Sequence, residues 1–265
     1  MITLFCDLDN TIIFSHRKKL NTSKRVAELL NGIEQSYITE RTFDFLSSCR
    51  SISFVPVTTR TLQQYERVES TIQSFNTKYA LILNGAILLK NGAVDDLWLN
   101  ESRELVKDAT DEMSKAAMLL KQYCKTPLRY RDDFLIYSSV KEPKVVAEKI
   151  QKDIDSSQLN VFFDSRKVYC APLSMNKGNN VRRFRRYHQT IVSIGVGDSK
   201  NDLSMLEDVD IPILPQSLSS FVSNPQKIEV PDSKVLSDAA CDEIELILTK
   251  YILVPLSRPR SEKTS

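Results

Sequence analysis

The chain opens on an apolar run, Ile2–Cys6, that stops abruptly at two carboxylates, Asp7 and Asp9. No other feature of its 265 residues constrains the fold as tightly. Such a run reads as a buried strand, so the acids stand where a strand gives way to a loop. In an open α/β sheet, ligands bind at the carboxyl ends of the strands. Burying two acids side by side is costly unless something neutralises them. At ~4 Å and an effective dielectric of about 20, two like charges repel by about 4 kcal/mol. A hard divalent cation such as Mg²⁺ relieves that repulsion and prefers oxygen ligands.

A second acidic site lies far along the chain. The apolar run Thr190–Val196 ends in Gly197-Asp198-Ser199-Lys200-Asn201-Asp202. Gly197 permits a tight turn or a close backbone approach. Ser199 or Asp198 suits the cap of a helix starting near Asn201, which puts Asp198 and Asp202 at a strand-to-helix crossover. Two further positions carry polar chemistry. Val55–Thr61 ends another strand in Thr58, Thr59 and Arg60; a hydroxyl and backbone N–H groups there suit a phosphate oxygen, and equally an ordinary turn and helix cap. Asn176-Lys177-Gly178 opens a helix. A lysine there opposes the macrodipole, so Lys177 serves either an anionic partner, phosphate or carboxylate, or solvent.

The spacing of apolar residues predicts strands at Ile2–Cys6, Ser51–Thr58 and Tyr79–Leu83, and helices at Ser23–Leu30, Thr39–Cys49 and Leu62–Phe75. This βαβαβ order argues for an α/β, Rossmann-like core, a parallel sheet flanked by helices. The rhythm then changes. A hairpin around Asn91-Gly92, a long helix over Glu101–Tyr123, a strand at Phe134–Val140, a helix at Pro143–Ile154 and a closing hairpin (Leu159–Phe163, Lys167–Cys170) read as a separate α/β insertion. Residues 85–171 are assigned to it, and 1–84 with 172–256 to the core. The core rhythm resumes with a helix at Lys177–Tyr187, the strand Thr190–Val196, a helix at Leu203–Glu207, a strand at Ile211–Leu214 and a helix at Ser237–Tyr251. Residues 257–265, polar and Pro-containing, read as a disordered tail.

Composition excludes several function classes. A net charge of +2 marks out no nucleic-acid or membrane partner. No apolar stretch approaches the length of a membrane span, and Asp7 interrupts the first apolar run too early for a secretory signal; the expected location is cytoplasmic. Five scattered cysteines without a Cys-x-x-Cys pair argue against zinc and against a disulfide framework. Two histidines make a histidine triad or a multi-histidine metal site improbable. Oligomeric state is not legible.

Taken in order, Asp7-Leu8-Asp9-Asn10-Thr11, a strand ending in Thr58, Lys177, and Gly197-Asp198-x-x-x-Asp202 resemble the haloacid dehalogenase-like superfamily over essentially the whole core. With Asn84-Gly85-Ala86 and Asn176-Lys177-Gly178 the pattern is similar to the Cof-type, sugar-phosphatase-like branch, which includes mannosyl-3-phosphoglycerate, sucrose-phosphate and trehalose-phosphate phosphatases. The resemblance implies an α/β cap domain inserted after the third core strand, and Mg²⁺-dependent hydrolysis of a small-molecule phosphate ester. It makes Asp7 the nucleophile that forms an aspartyl-phosphate, and Asp9 the acid that protonates the leaving alkoxide and then activates water. The cation would be held by Asp7, the Asp9 backbone carbonyl and Asp198, with Asp202 holding Lys177 or a metal-bound water. Thr58 and Lys177 would stabilise the phosphoryl oxygens, with substrate contacts from Leu8, Asn10, Thr59 and Arg60.

Asp9 favours phosphate-ester chemistry, since the superfamily's dehalogenases lack an acid there and its ion-pumping ATPases have Thr. It does not separate a phosphatase from a phosphomutase of the phosphomannomutase type. A non-catalytic phosphometabolite-binding module is a third reading, opposed by the intact acids. Two departures stand out: Thr59 replaces a common Gly, and Asn10 stands where a Gly is frequent, which is harmless if the backbone there stays at negative φ. Arg129–Asp133, and Arg17, Lys18 and Lys19, are the candidate specificity groups.

Overall fold

Ile2–Cys6 (β1) forms the central strand because its residues are apolar and almost entirely buried. The computed structural model describes residues 2–253 apart from residue 165; the expected tail lies outside the described residues. After β1 come β2 (Phe14–Ser15), β3 (Lys24–Leu30), β4 (Ile33–Thr39), α1 (Glu40–Ser48), β5 (Ile52–Pro56), α2 (Leu62–Gln73), β6 (Tyr79–Ile82), β7 (Ile87–Lys90) and β8 (Ala93–Val94). Then follow α3 (Asp96–Val106), α4 (Thr110–Lys121), β9 (Arg129–Arg131), β10 (Leu135–Ser139), α5 (Pro143–Asp153), β11 (Leu159–Asp164) and β12 (Lys167–Pro172). The chain finishes with α6 (Lys177–His188), β13 (Val192–Val196), α7 (Leu203–Asp208), β14 (Ile211–Pro215), β15 (Ile228–Val230) and α8 (Leu236–Leu253).

Five strands pair in the order β15-β14-β13-β1-β5, every pair parallel. β6 extends this layer through a parallel bridge between Val57 and Leu81. Crossover helices cover the sheet, and Phe5 meets Phe184 of α6 edge to face at 5.6 Å. The register brings the ends of β1 and β13 side by side, with Cys6 opposite Val196. That pairing joins the two acidic segments, 187 positions apart at Thr11 and Asp198.

The segment 24–39 departs from expectation. Ser23–Leu30, read as a helix, is strand β3, paired antiparallel with β4 across Asn31-Gly32. Both turn residues have positive φ, 52° and 76°, as a two-residue hairpin requires. The apolar spacing of Val26, Leu29 and Leu30 imitates a helical face, but a β-bulge around Glu28 breaks the strand's alternation. It turns both Ala27 and Glu28 inward and leaves Leu29 and Leu30 exposed.

The long helix expected over Glu101–Tyr123 is two helices, α3 and α4, separated by a turn at Lys107–Ala109. The break has a packing cause. Val106 belongs to the first core, whereas Ala109 and Met113 belong to a second. The Asn91-Gly92 hairpin and α3, read as the start of the insertion, also pack against the parallel sheet: Leu88 and Trp98 join Phe5, Val55 and Phe184 in a third apolar cluster. The second core lies under the antiparallel sheet β11-β12-β10-β9 and against α4 and α5. Along β10 the faces alternate, Ile136 toward that core and Leu135 and Tyr137 toward the first. Among the described residues no helix is long and apolar enough to cross a membrane.

Candidate active site

β1 continues one residue past Cys6, since the Asp7 N–H donates to Val196 O at 2.9 Å. The chain then turns tightly, and Leu8 O accepts from both Ile12 N and Ile13 N. Asn10 makes the turn at φ 66°. The condition of negative φ is thus not met, but asparagine is among the few side chains that tolerate this region. The Leu8 side chain is fully buried, so only its backbone faces the site.

Lys177, 1% exposed, is placed at the first position of α6 by its Asn176 cap. Its ammonium donates to Asp7 Oδ1 at 2.5 Å and to Asp202 Oδ1 at 2.6 Å. Two glycines make this approach possible. A Cβ on Gly178 would lie 2.1 Å from Ser204 O, and one on Gly197 would lie 2.5 Å from Asp202 Cβ. Asp202 is wholly buried, and its Oδ2 accepts from the Ser199 hydroxyl and from the N–H groups of Asp198 and Ser199. Thr11 was passed over as a site residue in the sequence. Its hydroxyl lies within hydrogen-bond distance of both Asp7 Oδ2 (3.1 Å) and Asp198 Oδ1 (2.9 Å).

Carboxylate oxygens of Asp7, Asp198 and Asp202 lie within 4.8 Å of one another. Burial drives the Asp7 carboxyl up, to about 8, with the neighbouring acids adding to the rise and Lys177 pulling against it. Burial, and then Asp202, push Asp198 up to about 6. Burial alone would lower the Lys177 pKa, but Asp202 and Asp7 overcome it and hold the ammonium above its ordinary value. One cation beside two buried acids and a half-buried third leaves the cluster short of positive charge. Its all-oxygen donor set fits a hard divalent ion. Both oxygens of Asp202 are engaged by protein donors, so Asp7 and Asp198 are the better placed to ligate directly.

The Asp9 side chain stands apart from this cluster. Arg60 grips it with two hydrogen bonds, Nε to Oδ2 at 2.8 Å and Nη2 to Oδ1 at 2.7 Å. The same guanidinium reaches Glu28 Oε2 (3.0 Å) and Gln64 O (3.1 Å), so its donors serve the protein rather than the open cleft. Sequence reasoning missed Glu28, which is 5% exposed and also pairs with Arg67 at 2.9 Å. The Asn31-Gly32 turn is the signal that would have placed it. Thr58 is fully buried; its Oγ accepts from Arg60 N, and its N–H donates to Leu81 O. The backbone N–H groups of Leu8 and Thr59 donate to no protein acceptor among the described residues.

These groups line the floor of a cleft of about 780 Å³, which Asp7, Asp9, Asn10, Thr59, Arg60, Lys177 and Asp198 share. Its far wall is the β10–β12 face, with Tyr137, Asn160, Phe162, Lys167 and Tyr169. Phe162 and Tyr169 stack at 5.0 Å, and Tyr169 and Tyr137 at 5.4 Å. The expected specificity groups do not themselves line this cleft, although Arg131 Nη2 donates to the hydroxyl of its wall residue Tyr137 at 3.0 Å. Asp132 and Asp133 line a separate groove beside Met113 and Ile136. Arg17, Lys18 and Lys19 do not line the cleft, and Lys18 lies over the Phe14 ring at 4.7 Å.

No family profile and no curated protein sequence matches this chain. Solved structures do. The sucrose-phosphatase of Synechocystis sp., crystallised with sucrose and phosphate, superposes with a TM-score of 0.62 at 13% identity, covering 92% of this chain and 97% of that one. A sugar phosphatase of HAD subclass IIB gives 0.64 at 10% identity over 93% and 99%. The chain shares the fold of these two sugar phosphatases. The IMP-bound IMP-nucleotidase of Plasmodium falciparum shares it at a TM-score of 0.59 and 12% identity, over 92% of this chain and 68% of that one. HAD-type neighbours thus range over sugar phosphatases and a nucleotidase.

Proposed function

We propose that this chain is a Mg²⁺-dependent phosphomonoesterase that hydrolyses a small phosphorylated metabolite, in the first instance a sugar phosphate, through an aspartyl-phosphate on Asp7. The observation that carries this reading is that Asp7 and Asp202 share the buried ammonium of Lys177 while a carboxylate oxygen of Asp198 lies within 4.8 Å of theirs. The HAD phosphatase fold supports it.

When bound, the cation would neutralise the acids and polarise a phosphoryl oxygen, with Asp7 and Asp198 supplying carboxylate oxygens and Asp9 its backbone carbonyl. The protein's own residues do the rest. Lys177 has three N–H donors; two are engaged by Asp7 and Asp202, and the third is available to a phosphoryl oxygen. The Thr58 hydroxyl and the unpaired N–H groups of Leu8 and Thr59 supply further donors of the kind phosphoryl transfer needs. An Asp7 oxygen attacks phosphorus and the ester P–O bond breaks; Asp9, whose two oxygens here both accept from Arg60, leaves that fork and takes up a proton before passing it to the leaving alkoxide. Asp9 then takes a proton from water as that water attacks the phosphoryl group, which regenerates the Asp7 carboxylate and releases inorganic phosphate. The inserted unit acts as a cap that excludes bulk water, and its Tyr137, Asn160 and Lys167 face the leaving group.

The test is a panel of phosphorylated metabolites scored for inorganic phosphate release with and without Mg²⁺. Release that depends on Mg²⁺ is expected. Failure with every ester overturns the enzymatic reading, and transfer to or from a sugar bisphosphate without net phosphate release would instead make the protein a mutase.

A further inference from the structure

The turn after β6 holds three consecutive residues at positive φ: Leu83 (50°), Asn84 (58°) and Gly85 (90°). Leucine is seldom found there. Such strain persists only where the surroundings over-determine it, and here they do. Leu83 N donates to Arg60 O at 3.0 Å and Asn84 N to Thr58 O at 2.9 Å. Asn180 Nδ2 donates to Asn84 O, and Trp98 Nε1 to Gly85 O, each at 2.9 Å. A Cβ on Gly85 would lie 2.4 Å from that of Asn180.

The side chain at the centre of this turn has no hydrogen-bond partner among the described residues. Asn84 is 7% exposed, its Oδ1 is buried without a hydrogen bond, and the amide lines the same cleft as Asp7 and Lys177. A buried polar group left unpaired in a native fold calls for an explanation. The backbone of Asn84 is tied on one side to Thr58 and on the other to Asn180 of α6, the helix that carries Lys177. The amide is therefore anchored between the two residues assigned to the phosphoryl group. Because neither end of the amide has a protein partner, either end is free to face a ligand.

We propose that Asn84 is a phosphoryl-binding residue whose side-chain N–H donates to a non-bridging oxygen of the bound ester. The proposal rests on the phosphomonoesterase reading. It gives the strained turn a purpose: to hold a neutral donor against a dianion, in a place where a second lysine would crowd Lys177.

The test uses the full chain with Mg²⁺, p-nitrophenyl phosphate as substrate and orthovanadate as a phosphoryl mimic. Asn84→Gly keeps the left-handed backbone and removes the amide, while Asn84→Asp keeps the shape and replaces the donor with a charge. A hydrogen bond to a charged group predicts a loss of roughly ten- to a hundredfold in orthovanadate affinity and in kcat/KM for Asn84→Gly, and a larger loss for Asn84→Asp. Melting temperatures should match or exceed the parent's, since the amide makes no hydrogen bond to the protein among the described residues and glycine suits the left-handed backbone. A parent-like inhibition constant and kcat/KM in Asn84→Gly, with a parent that hydrolyses the ester, overturns this assignment alone. A lowered melting temperature with unchanged orthovanadate affinity also overturns it, by making the amide structural. A parent that releases no phosphate from any ester overturns the phosphomonoesterase reading and this assignment together.

Discussion

Arg60 and Asp9 form a two-pronged ion pair, Nε and Nη2 of the guanidinium each meeting one carboxylate oxygen. The proposed general acid is thereby held by an arginine that is itself 8% exposed and fixed by Glu28 and Gln64. Orientation of Asp9 is a property of this network, not of the Asp7–Thr11 loop alone.

Arg60→Lys retains the charge but not the planar fork. Misplacement of a catalytic group by about 1 Å costs around a hundredfold, so kcat for p-nitrophenyl phosphate should fall by about that factor while KM moves little. Steady-state kinetics check this; an unchanged kcat would remove Arg60 from the positioning role.

Glu28 is a buried carboxylate between two arginines. Its removal leaves Arg60 short of a partner, and breaking a buried pair from one side costs about 3–5 kcal/mol. Urea unfolding of Glu28→Ala should register a loss of that order. A midpoint equal to the parent's would mean that the β3–β4 hairpin is not held to the core by this residue.

Gly178→Ala forces a methyl group against Ser204 O. Overpacking of this kind costs about 1–3 kcal/mol, and it displaces the turn of α6 that carries Lys177. Both unfolding midpoint and turnover should drop. Retention of full activity would show that Lys177 tolerates movement of its helix.

The acid cluster makes a pH-dependent prediction for the metal-free protein. Asp7 and Asp198, ordinarily near 3.8, are raised to about 8 and about 6, mainly by burial. A carboxyl raised in the folded state binds its proton more tightly there than in the unfolded chain. Its stabilising contribution is complete below the unfolded value and is lost as pH climbs through the folded one. Metal-free protein should therefore lose stability between about pH 4 and pH 8. Mg²⁺ competes with those protons. At a fixed concentration about a hundred times its dissociation constant at pH 8, it should add about 2.7 kcal/mol there, or about 5–10 °C in Tm, and less at pH 5, where protons weaken its binding. Calorimetric melting at both pH values checks this, and equal gains would contradict it.

The residues that order the site were legible where local chemistry and fold agree. Asp7 and Asp198 sit at strand ends because apolar runs stop at them, and Lys177 stood out as a cation at the wrong end of a helix. The β3–β4 hairpin was hidden because Val26, Leu29 and Leu30 imitate a helical period, although Asn31-Gly32 announced the turn. The break between α3 and α4 was invisible for a different reason: it is set by which core each half packs on, a tertiary property. The Arg60–Glu28 contact depends on a bulge that changes which face of the strand Glu28 occupies, and no periodicity encodes that. For the cleft's far wall, charge clustering at Arg129–Asp133 marked the strand beside Tyr137 but not Tyr137, Asn160 and Lys167 themselves, which only the sheet register brings to the site.

The most direct test of the account is to ask which atom receives the phosphoryl group. Asp9→Asn protein, mixed with Mg²⁺ and a hydrolysable ester and quenched in acid, should carry one phosphoryl group on the peptide that contains Asp7 when examined by mass spectrometry. The Asp7→Asn protein should carry none and should turn over nothing. A phosphoryl group on any other residue, or full turnover by Asp7→Asn, would contradict the claim that Asp7 is the nucleophile.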